Sequence, residues 1–183
     1  MRRTLTASVA AVAFFTLAGA AQAQTSDPSA YVEVGYSRLT YKDDFGFKSS
    51  PGLLTTTLGY RVLPQVAIEG HIGFALGSDD LTFNGASTGV KAKIGTNYGI
   101  FVRPSVQLAD DFELFGRVGW QRVRLDASAG GVSASGTDND IAYGFGVNYR
   151  LNKSSYLQAS WMNHYSKDGS SIKGLGVSYG YQF

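Results

Sequence analysis

Ile172-Lys173-Gly174-Leu175-Gly176-Val177-Ser178-Tyr179-Gly180-Tyr181-Gln182-Phe183 alternates without a break. From residue 174 on, odd positions carry Leu, Val, Tyr, Tyr and Phe, while even positions carry Gly, Gly, Ser, Gly and Gln. Successive side chains of a strand project to opposite faces, so one face here is bulky and apolar and the other small and polar. The apolar face needs an apolar neighbour. A strand ending on an aromatic residue, with no polar tail, suits the last staple of a barrel closed inside a lipid bilayer, where every backbone polar group must find its partner within the protein.

The same alternation recurs upstream. Eight segments carry it, at about residues 30–40, 52–62, 66–76, 92–108, 112–125, 140–151, 155–165 and 172–183. Most have the length needed to cross a bilayer obliquely. Three connections are short and built from turn-favouring residues: Leu63-Pro64-Gln65, Ala109-Asp110-Asp111 and Asn152-Lys153-Ser154. Four are longer and polar, at 41–51, 77–91, 126–139 and 166–171, and are expected to be loops. Short periplasmic turns alternating with long external loops, with an even strand count, match the bacterial outer-membrane pattern. The expected fold is an all-β, eight-stranded antiparallel up-and-down transmembrane barrel.

The first residues read as an export signal. Arg2 and Arg3 precede an apolar run from Leu5 to Ala18, and Ala21-Gln22-Ala23 offers a small-x-small cleavage site. Residues 1–23 are the expected signal peptide and 24–183 the barrel domain. Loss of the two leader arginines leaves 14 basic against 14 acidic side chains, so no basic surplus remains to attract nucleic acid. Cysteine is absent, which excludes disulfides and thiolate metal sites as sources of stability.

Charge separates a membrane barrel from a soluble sandwich or lipocalin-like barrel. Only 16% of the residues are charged, against about 25% in ordinary soluble domains. The three glutamates, Glu33, Glu69 and Glu113, fall on the polar phase of their strands together with Arg61, Arg103, Arg117 and Arg150. The opposite phase carries residues such as Val34, Leu58, Ile68, Ile100, Trp120 and Phe145. Aromatic residues of that phase gather toward both strand ends: Tyr60, Phe112, Tyr149, Tyr181 and Phe183 at one, Phe74, Trp120, Trp161 and Tyr165 at the other. Such belts suit headgroup depth.

An eight-stranded barrel has room inside only for its own side chains. Buried charge is costly unless paired. Glu33, Arg61, Glu69, Arg103, Glu113, Arg117 and Arg150 are therefore expected to form an interior ion-pair network in the periplasmic half. Asn97, Gln107, Gln121, Asn148 and Gln158 would satisfy its leftover donors and acceptors. A simple register sets Arg117 opposite Arg103. In the fifth segment Val123 and Leu125 take the inward phase and Arg122 and Arg124 the outward one, so either a bulge shifts the register there or, the favoured reading, those arginines rise above the hydrocarbon to lipopolysaccharide headgroups.

Taken in order, Tyr31-Val32-Glu33-Val34-Gly35-Tyr36, Val66-Ala67-Ile68-Glu69-Gly70-His71, Phe115-Gly116-Arg117-Val118-Gly119-Trp120 and Gly176-Val177-Ser178-Tyr179-Gly180-Tyr181-Gln182-Phe183 resemble the outer-membrane β-barrel domain family of OmpA/OmpX- and Opa-like proteins. The resemblance covers the whole exported chain. It implies a signal for the barrel-assembly machinery at Tyr179, Tyr181 and Phe183. It also implies structural, adhesive or stress-related surface roles rather than one fixed activity.

Enzymatic motifs are sparse. Asn163-His164-Tyr165-Ser166 resembles the His-x-Ser element of lipid A deacylases. A serine hydrolase also needs an acid to orient its base. Only Asp168 follows, and His164 takes the inward phase. His71 and His164 are the only histidines, too few for a metal centre, and the paired aspartates lack a spaced calcium loop. No cofactor or metal is expected. The reading is a monomeric, non-enzymatic Gram-negative outer-membrane barrel acting in envelope integrity or surface contact. Its expected partners are outer-membrane lipid, lipopolysaccharide and the assembly machinery. The alternatives are a narrow porin-like channel and a deacylase-like hydrolase.

Overall fold

The computed structural model describes residues 30–129, 132–167 and 169–183; the expected signal peptide and its cleavage site lie outside them. The described strands are β1 (Ala30–Asp43), β2 (Phe47–Ser49), β3 (Gly52–Leu63), β4 (Val66–Ala75), β5 (Asp79–Phe83), β6 (Ala86–Ala109), β7 (Phe112–Ala129), β8 (Val132–Arg150), β9 (Ser155–Lys167) and β10 (Ser170–Gln182). Eight of them form an antiparallel barrel in the order β1-β3-β4-β6-β7-β8-β9-β10. The alternating closing segment, β10, zips onto β1 from Tyr31 opposite Gln182 to Asp43 opposite Ser170 and removes the free edge.

At one end the connections are tight. Pro64-Gln65 and Asp110-Asp111 join strands directly. The Asn152 side-chain oxygen accepts from the backbone amides of Ser154 and Ser155, fixing the third turn. The other end departs from expectation, because much of the polar sequence assigned to loops is strand. β7 and β8 run unbroken against each other from Phe112 opposite Tyr149 to Ala129 opposite Val132. β2 pairs with both β1 and β5, and β5 pairs with β6. Beyond the ends of β3 and β4 a substitute wall, β1-β2-β5-β6, therefore continues the barrel. Asn84 and Gly85, with φ of 49° and 87°, make the two-residue left-handed turn that joins β5 to β6. Asp43, Asp79, Asp80, Asp126, Asp138 and Asp140 all sit in these extensions. Water on both faces removes the apolar alternation by which a strand is recognised, but not its backbone ladder.

Outward positions of the barrel are apolar: Leu58, Ile100 and Leu175 are more than 60% exposed. Inward positions are buried and mostly polar. β7 keeps its phase past Trp120, with Val123 buried and Arg122 and Arg124 exposed. At this height a register shift lies in β6 and not in β7, between Ile94 and Asn97. Another shift, where Ile172 faces Tyr165 and Lys173 faces Asn163, leaves His164 as the extra residue of a β9 bulge. The bulge corrects the expectation for Tyr165, which packs on an inner apolar cluster instead of joining the outer aromatic belt.

Candidate functional site

The inward residues of β1, β3, β4, β6 and β7 near the tight-turn end converge on three carboxylates and three guanidiniums. Arg103 reaches Glu33 at 3.0 Å, Glu69 at 3.2 Å and Glu113 at 3.0 Å. Arg117 donates through Nε to Glu69 and through Nη2 to Glu69 at 3.0 Å and Glu33 at 3.3 Å. Arg61 pairs with Glu113 at 2.7 Å. Glu33, Glu69, Arg103 and Arg117 are all at most 5% exposed. Three charges of each sign make the set formally neutral, which is how ionised groups persist in a wall that faces hydrocarbon. Arg117 does stand beside Arg103, yet both point at the same two carboxylates. The Phe115 ring lies 4.1 Å from the Arg103 guanidinium and 5.3 Å from that of Arg117, covering both with a π-face.

Arg150 does not join this set. It is exposed at the barrel rim and donates to the Asp110 carbonyl at 3.2 Å, because its position at the end of β8 lies past the carboxylates. Gln107 likewise caps the 109–111 turn through the carbonyls of Ala109 and Asp110. Asn148 and Gln158 do bind the carboxylates, at 3.0 Å to Glu113 and 2.6 Å to Glu33. Asn97 and Gln121 lie higher in the bore. Two tyrosines take roles that alternation alone did not assign. Tyr31 donates to Glu69 at 2.6 Å and Tyr156 to Glu33 at 2.8 Å. Each lies across a glycine of the neighbouring strand, Tyr31 over Gly59 and Tyr156 over Gly180, where an added Cβ would overlap the phenol ring. The signal was present as a tyrosine and a glycine in inward phase on adjacent strands.

Above the charges comes a polar layer. Thr57 bonds His71 Nδ1 at 3.0 Å, and Gln121 bonds His164 Nδ1 at 3.0 Å. His71 Nε2, both amide atoms of Asn97, Gln121 Nε2 and Asn163 Oδ1 are buried without a protein partner. Toward the loop end Leu39, Leu53, Val123 and Ile172 meet as a buried apolar cluster, with Tyr41 and Tyr165 packed against it. A greasy layer inside the bore was not anticipated, although each of its members has inward parity.

His164 and Ser166 lie in different surroundings, and Asp168 falls outside the described residues. His164 is buried against Gln121, whereas Ser166 is exposed and its backbone amide donates to Asp140 at 2.9 Å. Among the described residues no group of three or more metal-ligating side chains gathers. Tyr179 donates to Ser155 Oγ at 2.9 Å. The rings of Tyr181 and Phe183 meet edge to face at 5.3 Å on the outer surface, and the Phe183 amide donates to the Ala30 carbonyl.

Comparison with known proteins matches this architecture. The sequence model of the outer membrane protein beta-barrel domain covers residues 7–183. No curated protein sequence matches the chain. Among solved structures, Ail, the attachment invasion locus protein of Yersinia pestis, superposes with a TM-score of 0.64 at 18% identity, over 86% of this chain and 100% of Ail. The N-terminal β-barrel domain of Pseudomonas aeruginosa OprF gives 0.60 at 12% identity over 86% and 100%. Neisserial surface protein A gives 0.59 at 13% over 86% and 98%. At such identities these likenesses concern the fold.

Proposed function

The chain belongs to the outer membrane protein β-barrel domain family, and on that premise we propose that it is a closed, non-enzymatic barrel that holds rigid hairpins outside the cell for envelope integrity or surface contact. The observation that carries this reading is the filled bore. The ion-pair cluster occupies the tight-turn end, and Leu39, Leu53, Val123 and Ile172 occupy the loop end. An apolar constriction resists wetting, and a solute would have to break several charge-assisted bonds below it. The extensions of β6, β7 and β8 supply a structured surface beyond the hydrocarbon.

In this reading the chain is exported, cleaved after Ala23 and inserted into a Gram-negative outer membrane as a monomer. Its tight turns face the periplasm, and Tyr179, Tyr181 and Phe183 present the closing strand to the assembly machinery. Planar-bilayer recording tests the central claim: the refolded chain should give no steady conductance. Reproducible single-channel steps would replace this reading with the narrow channel. Release of hydroxy fatty acid from lipopolysaccharide would replace it with the hydrolase.

A further inference from the structure

From the tight turns up to Tyr98 and Trp120, the outward positions of β6 and β7 carry no charge. Tyr98 and Trp120 meet edge to face at 6.2 Å, and the first charged side chain above them is Arg122, directly opposite Tyr98. Arg124 follows, then Lys93 opposite Asp126 and Lys91 opposite Ser128. At this height, where β6 bulges, the wall opens a cleft of about 740 Å³ between the end of β4 and the β7–β8 hairpin, lined by Phe74, Lys91, Lys93, Arg124 and Asp126. Gly95 also lines it, and a Cβ there would overlap the Asp126 carboxylate. Among the described residues Asp126 accepts from Nε of Arg124 alone, at 3.0 Å. Lys91 has the exposed Asp80 at 3.7 Å, whereas Lys93 and Arg122 have no ion pair among the described residues. Three cations, Lys91, Lys93 and Arg124, against one acid, Asp126, leave the lining of the cleft an excess of two positive charges.

We propose that this cleft binds a phosphate on the sugar head of lipopolysaccharide, taken up sideways from the outer leaflet. The proposal rests on the outer-membrane reading above. Phosphate favours a guanidinium fork flanked by ammonium groups. Phe74, Tyr98 and Trp120 put the cations one step above hydrocarbon, where lipid-borne phosphate lies. Arg124 and Asp126 share the outward phase of Trp120 on β7, and Lys93, opposite Asp126, lies on the same face of the wall.

The test uses the exported chain refolded in neutral detergent and titrated with bisphosphorylated lipid A, with the same lipid stripped of phosphate, and with inorganic phosphate. Wild type should hold the bisphosphorylated lipid more tightly than the other two. Lys93→Gln with Arg124→Gln should weaken that binding roughly tenfold, as expected for the loss of two charge-assisted contacts. Lys42→Gln with Lys173→Gln, which removes the same charge from exposed positions on β1 and β10, should leave it unchanged. An equal loss in the two variants, unchanged binding in the cleft variant, or inorganic phosphate binding as tightly as the lipid would each overturn the site. Heat-modifiable gel mobility reports the barrel separately, and a wild type lacking it would refute the architecture on which the site rests. Lys93→Ala with Arg124→Ala substitutes if the glutamine pair does not refold.

Discussion

Glu69 accepts from Tyr31, Arg103 and Arg117 in a wall whose far side meets lipid, so its charge has no water to fall back on. Removing one partner from such a set strands the others. Glu69→Ala should lower unfolding free energy by about 3–5 kcal/mol, read as a fall in the urea midpoint of the refolded protein in micelles. Glu69→Met combined with Arg117→Met removes one charge of each sign and should recover most of that loss; equal midpoints for the single and double variants would contradict the pairing. Gly59→Val forces the Tyr31 ring off its hydrogen bond with Glu69. It should destabilise more than Gly70→Val, because nothing lies within 4 Å of a Cβ at Gly70. At this scale the sequence disclosed that Glu33, Glu69, Arg103 and Arg117 face inward, since parity alone does that. It did not disclose that Arg150 ends too low, or that two tyrosines reach across glycines, because both depend on which strands are neighbours and at what stagger.

The β8–β9 ladder ends at Tyr143 opposite Asn163, and beyond it side chains join the two strands. Tyr165 donates its hydroxyl to Asp138 at 2.8 Å, and the Ser166 amide donates to Asp140 at 2.9 Å. The Tyr165 hydrogen bond, with help from the Asn139 amide, holds the Asp138 carboxyl below its ordinary range. A depressed carboxylate adds stability above its unfolded pKa, about 4, and loses it as pH falls through the lowered value. Hydrogen-exchange protection of the upper part of β8 should therefore drop under acid. Tyr165→Phe should already show reduced protection at neutral pH and a weaker acid response. Ile172→Ala, which opens the apolar cluster, should cost about 2–5 kcal/mol; a loss below 1 kcal/mol would mean that this end of the bore is loosely packed. These elements were partly legible beforehand. The barrel portion of each strand was readable from its period of two. The extensions and the β9 bulge were not, because a hairpin wet on both sides has no apolar phase and one extra residue leaves composition unchanged.

Closure governs the molecule as a whole. β10 meets β1 over its full length, so the last strand to be read is also the one that completes every backbone ladder in the wall. Phe183→Ala should therefore leave refolding in detergent intact and reduce the heat-modifiable protein recovered from cell membranes; equal recovery would remove the terminal aromatic from the proposed assembly signal. Alternation along the chain disclosed the all-β barrel, its eight wall strands and which half of each zigzag meets hydrocarbon, because lipid imposes a one-dimensional rule on alternate residues; the short β2 and β5 escaped it. Folding in three dimensions set which carboxylate meets which guanidinium, the apolar layer at the loop end of the bore, and the cleft lined by Lys91, Lys93 and Arg124. Those depend on stagger and bulges, which are summed around a closed ring and written in no single strand.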